Sequence, residues 1–328
     1  PAYLDYVRAS VDRLVGPDGS IRTYRPDEYN LDHINPGKVL LPLYAITGDT
    51  RYAAAAGRLR AQLRSHPRTA SGGFWHKQIY PHQMWLDGIY MAAPFLAAYA
   101  AAFNEPALFD DIAHQIMLIE GATRDPATGL LYHAWDESRQ QAWAHPESGC
   151  SPHFWGRAMG WFVMALPDVL EFFPVDHPAR AALVAVLART ATAVAQVQDP
   201  ATSLWYQVLD QPGRPGNYLE ASASCMFVYG MAKGVRLGCL PPRWLATAQA
   251  GFQGVVERLV AVDEAGQVTL NQICAVAGLG GTPYRDGSYE YYIGEPVVSN
   301  DFKGVGPFIL AGVELKRVQA RAMERSES

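Results

Sequence analysis

The 328 residues carry 27 Lys and Arg against 32 Asp and Glu, a formal charge of −5, with no basic cluster, which argues against nucleic acid or an anionic membrane surface as partner. Apolar residues make up 49% of the chain and charged residues 18%, which suits a large core and excludes disorder. Cys150, Cys225, Cys239 and Cys274 lie far apart with no Cys-x-x-Cys pair, so neither a zinc site nor a disulfide framework is signalled and a reduced, cytoplasmic setting is expected.

No apolar run reaches the roughly eighteen uninterrupted residues of a bilayer span, and no signal peptide opens the chain, which begins at Pro1. Nothing reads as a linker, so residues 1–328 are expected to form a single domain. Apolar positions at helical spacing predict a first helix over 3–15, ended by Gly16-Pro17-Asp18-Gly19. The next begins near Pro36 and closes at Thr47-Gly48-Asp49. An Ala- and Arg-rich amphipathic helix follows over 50–65 and stops at Pro67.

Residues 72–103 run from a loop rich in glycine and aromatics into a long apolar helix over 82–103, which should be buried nearly all round. An amphipathic helix is expected over 106–120, then a long aromatic loop over 123–152, a buried helix over 154–173 and an amphipathic one over 179–198. A short extended excursion at 204–218 precedes helices at 220–237 and 242–259, a polar loop, and a last helix at 303–322. Four or five such pairs, each joining a more apolar helix to a more polar one, predict an all-α ring of helical hairpins with little strand.

Asp87 is the only carboxylate in 72–103. In so apolar a helix an ionised carboxylate loses its hydration unless it is paired, hydrogen-bonded or protonated, so Asp87 is the first catalytic candidate, as a general acid. The loop before it sets His76, Lys77 and His82 beside Trp75, Tyr80 and Trp85, polar tips among flat apolar bodies, as sugar sites are built. In Pro152–Trp161, Arg157 and Trp161 lie four apart on one helix face. A guanidinium grips a carboxylate at two points and an indole faces a sugar ring, so together they would select an acidic sugar. The plain alternative is an ion pair of Arg157 with Asp32, Asp87 or Asp136. Asp32 and Asp136 compete as the second carboxylate, with a helix cap the ordinary role for Asp32. His133 would contact a hydroxyl, shuttle protons, or simply pack. Dinucleotide, phosphate-loop and Gly-x-Ser-x-Gly signatures are absent, which disfavours nucleotide and serine-hydrolase chemistry.

Five stretches stand in order along nearly the whole chain: Asn-Pro-Gly-Lys-Val-Leu-Leu (35–41), Pro-Arg-Thr leading to Gly-Gly-Phe-Trp-His-Lys (67–77), Gln-Met-Trp-Leu-Asp-Gly-Ile-Tyr-Met-Ala (83–92), Trp-Gly-Arg-Ala-Met-Gly-Trp (155–161) and Ser-Asn-Asp-Phe-Lys-Gly-Val-Gly-Pro-Phe (299–308). Together they closely resemble the unsaturated rhamnogalacturonyl hydrolases, family 105 of the glycoside hydrolases. The resemblance implies an (α/α)6 barrel, here lacking the first helix that family members carry. It also implies a hydrolase without metal or cofactor, acting on a small oligosaccharide from pectin degradation that ends in a 4,5-unsaturated galacturonyl residue linked to rhamnose. By motif position, Asp87 resembles the general acid/base and Asp32 the second carboxylate, ahead of Asp136. His76, Lys77, His133, Trp155, Arg157 and Trp161 resemble the substrate-contacting set. The implied reaction is hydration of the C4=C5 enol ether. Competing expectations are an ordinary inverting glycosidase on a saturated sugar and a non-catalytic sugar-binding helical protein.

Overall fold

The computed structural model describes residues 2–326, and among them helices dominate: α1 (Ala2–Asp12), α2 (Leu40–Thr47), α3 (Thr50–Ser65), α4 (Leu86–Phe103), α5 (Leu108–Thr123), α6 (Gly156–Leu170), α7 (Arg180–Gln196), α8 (Ala221–Arg236), α9 (Trp244–Arg258), α10 (Tyr289–Gly294) and α11 (Phe302–Ser326). The six strands, each of two or three residues, form three antiparallel pairs: β1 (Gln83–Trp85) with β2 (Ala134–Asp136), β3 (Val260–Val262) with β4 (Val268–Leu270), and β5 (Ile273–Cys274) with β6 (Val297–Val298). The expectation of an all-helical chain with little strand holds.

Helix ends fall where the local chemistry puts them. Gly48 closes α2 in the left-handed conformation (φ 69°), which costs glycine nothing, and the next residue, Asp49, starts α3 by accepting a hydrogen bond from the Arg51 amide at 3.0 Å. Asn104, also left-handed, ends α4.

The buried and amphipathic helices alternate as predicted. α4, α6 and α8 are buried almost all round, whereas α3, α5, α7 and α9 bury one stripe each. The buried helices follow one another in an arc, α2 against α4, α4 against α6, α6 against α8 and α8 against α11. Behind it α3 backs α2, α5 backs α4, α7 backs α6 and α9 backs α8. Where α6 and α8 cross, a Cβ on Gly230 would lie 2.7 Å from the Val163 carbonyl oxygen, so glycine there sets how closely the two inner helices approach. α4 is 18 residues long and apolar enough to cross a membrane, but 72% of it is buried inside the protein. All four cysteines are free and buried.

Two predicted boundaries move. The helix expected from residue 82 begins at Leu86, because Gln83, Met84 and Trp85 pair with Asp136, Trp135 and Ala134 across the long aromatic loop. The helix expected from Pro36 opens as two short 3-10 turns, Leu31–His33 and Asn35–Val39, before α2 begins. α10 falls in a segment that reads as polar loop.

Candidate active site

A cavity of about 430 Å³ gathers the N-terminal ends of α4, α6 and α11. Seven of the eight predicted site residues line it: Asp32, His76, Lys77, Asp87, Trp155, Arg157 and Trp161. His133 lies directly beneath, fully buried, with Nε2 at 3.3 Å from Asp87 Oδ2. Because each of these helices aims the positive end of its dipole at the same space, an anionic ligand is favoured there.

Asp87 is the second residue of α4, and its side chain is 13% exposed. The β1–β2 pairing brings His133 to it: Trp85 sits opposite Ala134, and the Leu86 amide donates to the His133 carbonyl at 3.0 Å. On the other side of the ring, His133 Nδ1 lies 2.8 Å from the Tyr292 hydroxyl. Burial raises the Tyr292 pKa well above 10, so this hydroxyl keeps its proton and fixes the imidazole. Asp87 Oδ2 and His133 Nε2 have no aligned hydrogen-bond partner among the described residues. The carboxyl group is therefore not committed to a donor of the protein and remains free to exchange a proton with a ligand.

Asp32 is in a different setting. The Asn30 side chain accepts from its amide at 2.9 Å, and the Leu31 amide donates to the His76 carbonyl at 3.1 Å, which holds this turn against the loop carrying His76 and Lys77. The Asn30 carboxamide, not Asp32, is the cap. Lys77 Nζ lies 2.7 Å from Asp32 Oδ2, and His76 Nε2 lies 3.5 Å from Oδ1. Burial alone would raise the Asp32 pKa, but His76 and Lys77 outweigh it and keep the carboxyl below its ordinary value of 3.8. Burial pushes the His76 imidazole below 6.5 despite Asp32, so near neutral pH the cation facing Asp32 is chiefly Lys77. Asp32 thus stays ionised.

Asp136, the rival carboxylate, is fully buried and outside the cavity lining. Its oxygens accept from the Ser138 amide and hydroxyl at 2.9 and 2.6 Å and from the Gln140 and Gln141 amides at 2.8 and 2.9 Å. Four donors make it the anchor of its loop.

Arg157 lines the cavity, yet its guanidinium is engaged by the protein. Nε donates to Ser222 Oγ at 2.9 Å, Nη2 to the Cys274 carbonyl, and Nη1 to the Ala275 carbonyl at 3.4 Å, with Glu220 Oε1 3.6 Å from Nη2. Its counter-ion is thus none of the three aspartates weighed from the sequence. Glu220 is fully buried, accepts from the Ala223 amide at 2.6 Å as the cap of α8, and also takes the Ser222 hydroxyl and the Cys274 amide. No local signal marks it, because its partners come from α6 and β5.

The aromatic side chains are arranged as layers. His76 stacks on Trp85 with centroids 4.4 Å apart, Trp85 on Tyr80 at 5.0 Å, Trp155 on Tyr292 at 5.9 Å, and Trp161 on Tyr90 at 4.6 Å. His82 and Trp75 pair with each other away from the cavity lining. Tyr80, Trp85 and Lys303 also line the cavity, and lining residues not singled out from the sequence include Met91, Val276, Arg285 and Phe302. Arg285 donates to the Tyr80 hydroxyl at 2.8 Å and has no carboxylate within ion-pair distance among the described residues, whereas Lys303 is held by Asp301 at 2.9 Å. No three His, Cys, Asp or Glu side chains come together as a metal site would require among the described residues.

Residues 1–319 match the family described as Glycosyl Hydrolase Family 88. A solved family 105 glycoside hydrolase from C. acetobutylicum is 51% identical and superimposes with a TM-score of 0.95, covering 96% of this chain and 88% of that one. The 24.9 kDa protein of the picA locus in Rhizobium radiobacter is 42% identical over 68% of this chain and 97% of its own length. Unsaturated rhamnogalacturonyl hydrolase YesR of Bacillus subtilis is 30% identical over 60% of this chain and 55% of its own. The unsaturated glucuronyl hydrolase of Bacillus sp. GL1, 13% identical with a TM-score of 0.66 over 96% of this chain and 78% of that one, shares the fold. The chain belongs to the glycoside hydrolases of families 88 and 105, and within them to family 105.

Proposed function

We propose that this cavity removes a terminal 4,5-unsaturated uronic acid, of the galacturonyl type and linked to rhamnose, from a small oligosaccharide by hydrating its C4=C5 bond. The observation that carries the reading is the pair of carboxyl groups in unlike surroundings, Asp87 uncommitted on the cavity floor and Asp32 held ionised by Lys77 on the wall. Asp87 delivers its proton to C4. Water adds to C5, and its proton passes to Asp32 or to the Asp87 carboxylate just formed. The resulting C5 hemiketal opens, and the neighbouring sugar leaves. His133, fixed by Tyr292, lies 3.3 Å from Asp87 without tying up its proton, and Trp155 and Trp161 supply flat walls for the ring. The name of the Bacillus subtilis relative supports the same substrate class.

The test is the ultraviolet absorbance of the conjugated enol ether during incubation with an unsaturated rhamnogalacturonan disaccharide. Loss of absorbance in step with release of the neighbouring sugar is expected. Sugar release from a saturated substrate at the same rate would overturn hydration in favour of attack at the anomeric carbon.

A further inference from the structure

One feature of the cavity mouth is not needed to place the reacting sugar. Phe302, the first residue of α11, is 89% exposed, and Val276, after β5, is 57% exposed, yet both line the cavity whose floor is Asp87. A bare phenyl ring costs hydration, and an apolar surface left open at the edge of a polar cleft marks a binding surface. The ring is also presented on a fixed base. Asn300, left-handed at φ 55°, accepts from the Leu270 amide at 2.9 Å through its side chain. Asp301 accepts from the Lys303 amide at 2.8 Å and pairs with its ammonium. A Cβ on Gly304 would lie 2.6 Å from Ile273, so the start of α11 is seated on β5, and β5 is paired with β6 just before Asn300. The segments carrying Phe302 and Val276 are therefore pinned to each other.

We infer that Phe302, backed by Val276, is the platform for the leaving sugar, which lays the C–H face of its ring on the phenyl group while the unsaturated uronate occupies the floor. This rests on the function proposed above: a terminal residue that reacts at the floor leaves the rest of the oligosaccharide only the mouth. No carboxylate of the sugar is needed for this contact, so the platform reads ring shape and apolar face, not charge.

The experiment compares two substrates, the unsaturated disaccharide and the methyl glycoside of the same unsaturated uronic acid, which places no sugar at the mouth. In Phe302→Ala the ratio of kcat/KM for disaccharide over methyl glycoside is expected to fall roughly five- to thirtyfold, and Phe302→Tyr, which keeps the flat face, restores it. Calorimetric binding of the same two sugars to the slow Asp87→Asn protein, with and without Phe302→Ala, gives the corresponding ratio of Kd with turnover suppressed, so the platform is tested even if the absorbance assay refutes the hydration chemistry. A ratio changed less than about twofold in Phe302→Ala, or an equal fall in Phe302→Tyr, overturns the platform.

Discussion

Asp87 and Asp136 are both acidic, aromatic-flanked and nearly inaccessible, and their hydrogen bonds alone separate their roles. Asp87 faces His133 with one oxygen unclaimed, so Asp87→Asn keeps the shape and removes only the transferable proton. A fall in kcat of at least about a hundredfold is expected, with a smaller change in KM, followed by the enol-ether absorbance. Near-normal turnover would remove Asp87 from the reaction. Asp136 accepts four hydrogen bonds, and Asp136→Asn turns an NH2 group toward backbone or hydroxyl donors. The expected result is a loss of about 1–3 kcal/mol of stability in denaturant titration. The sequence put Asp87 first from its apolar helix, and the choice of Asp32 over Asp136 as the second carboxylate came from motif resemblance. The physical reason for that ranking, which oxygen has donors, lies in chain segments folded around each side chain.

Between elements, the Arg157–Glu220 pair ties α6 to α8 and to β5 at the wall of the cavity. Both side chains are fully buried, so Arg157→Ala would leave a carboxylate without its counter-charge in the core. Such a truncation is expected to cost about 3–5 kcal/mol, and the double variant Arg157→Met with Glu220→Gln should recover a large part of it, because no charge is then left alone. Thermal unfolding of the three proteins measures both effects. A fully stable Arg157→Ala protein would show that Glu220 is held by its other donors. Local spacing had placed Arg157 on the same helix face as Trp161, and the structure agrees, with both lining the cavity. The partner of Arg157 was not readable, since Glu220 sits at a helix start with nothing in its own neighbourhood to announce an ion pair.

Across the whole molecule, buried imidazoles link stability to pH. Burial lowers the pKa of His66 from 6.5 to about 4, its Nε2–H donating to the Trp75 carbonyl at 2.7 Å, and burial also lowers His76 and His153. Between pH 6.5 and about 4 the unfolded chain therefore binds more protons than the folded one. The stability from these groups is complete above pH 6.5 and is lost as pH falls, so the melting temperature should drop steadily from pH 6.5 to 4.5, and less steeply in His66→Gln. A flat profile over that interval would contradict this linkage. The same contrast between local and distant interactions divides what could be read in advance. Alternation of apolar and amphipathic helices, the stops at Gly48 and Pro67, and the positions of Asp87, Asp32, His76 and Arg157 are written locally, because a helix face and a turn are decided within a few residues. Tertiary structure alone decided that Gln83–Trp85 pairs with Ala134–Asp136 and so sets His133 against Asp87, that Glu220 answers Arg157, and that Arg285 and Phe302 reach the same cavity. Each of these joins segments far apart in the chain, and such contacts are selected by the packing of the core, which no local pattern of residues encodes.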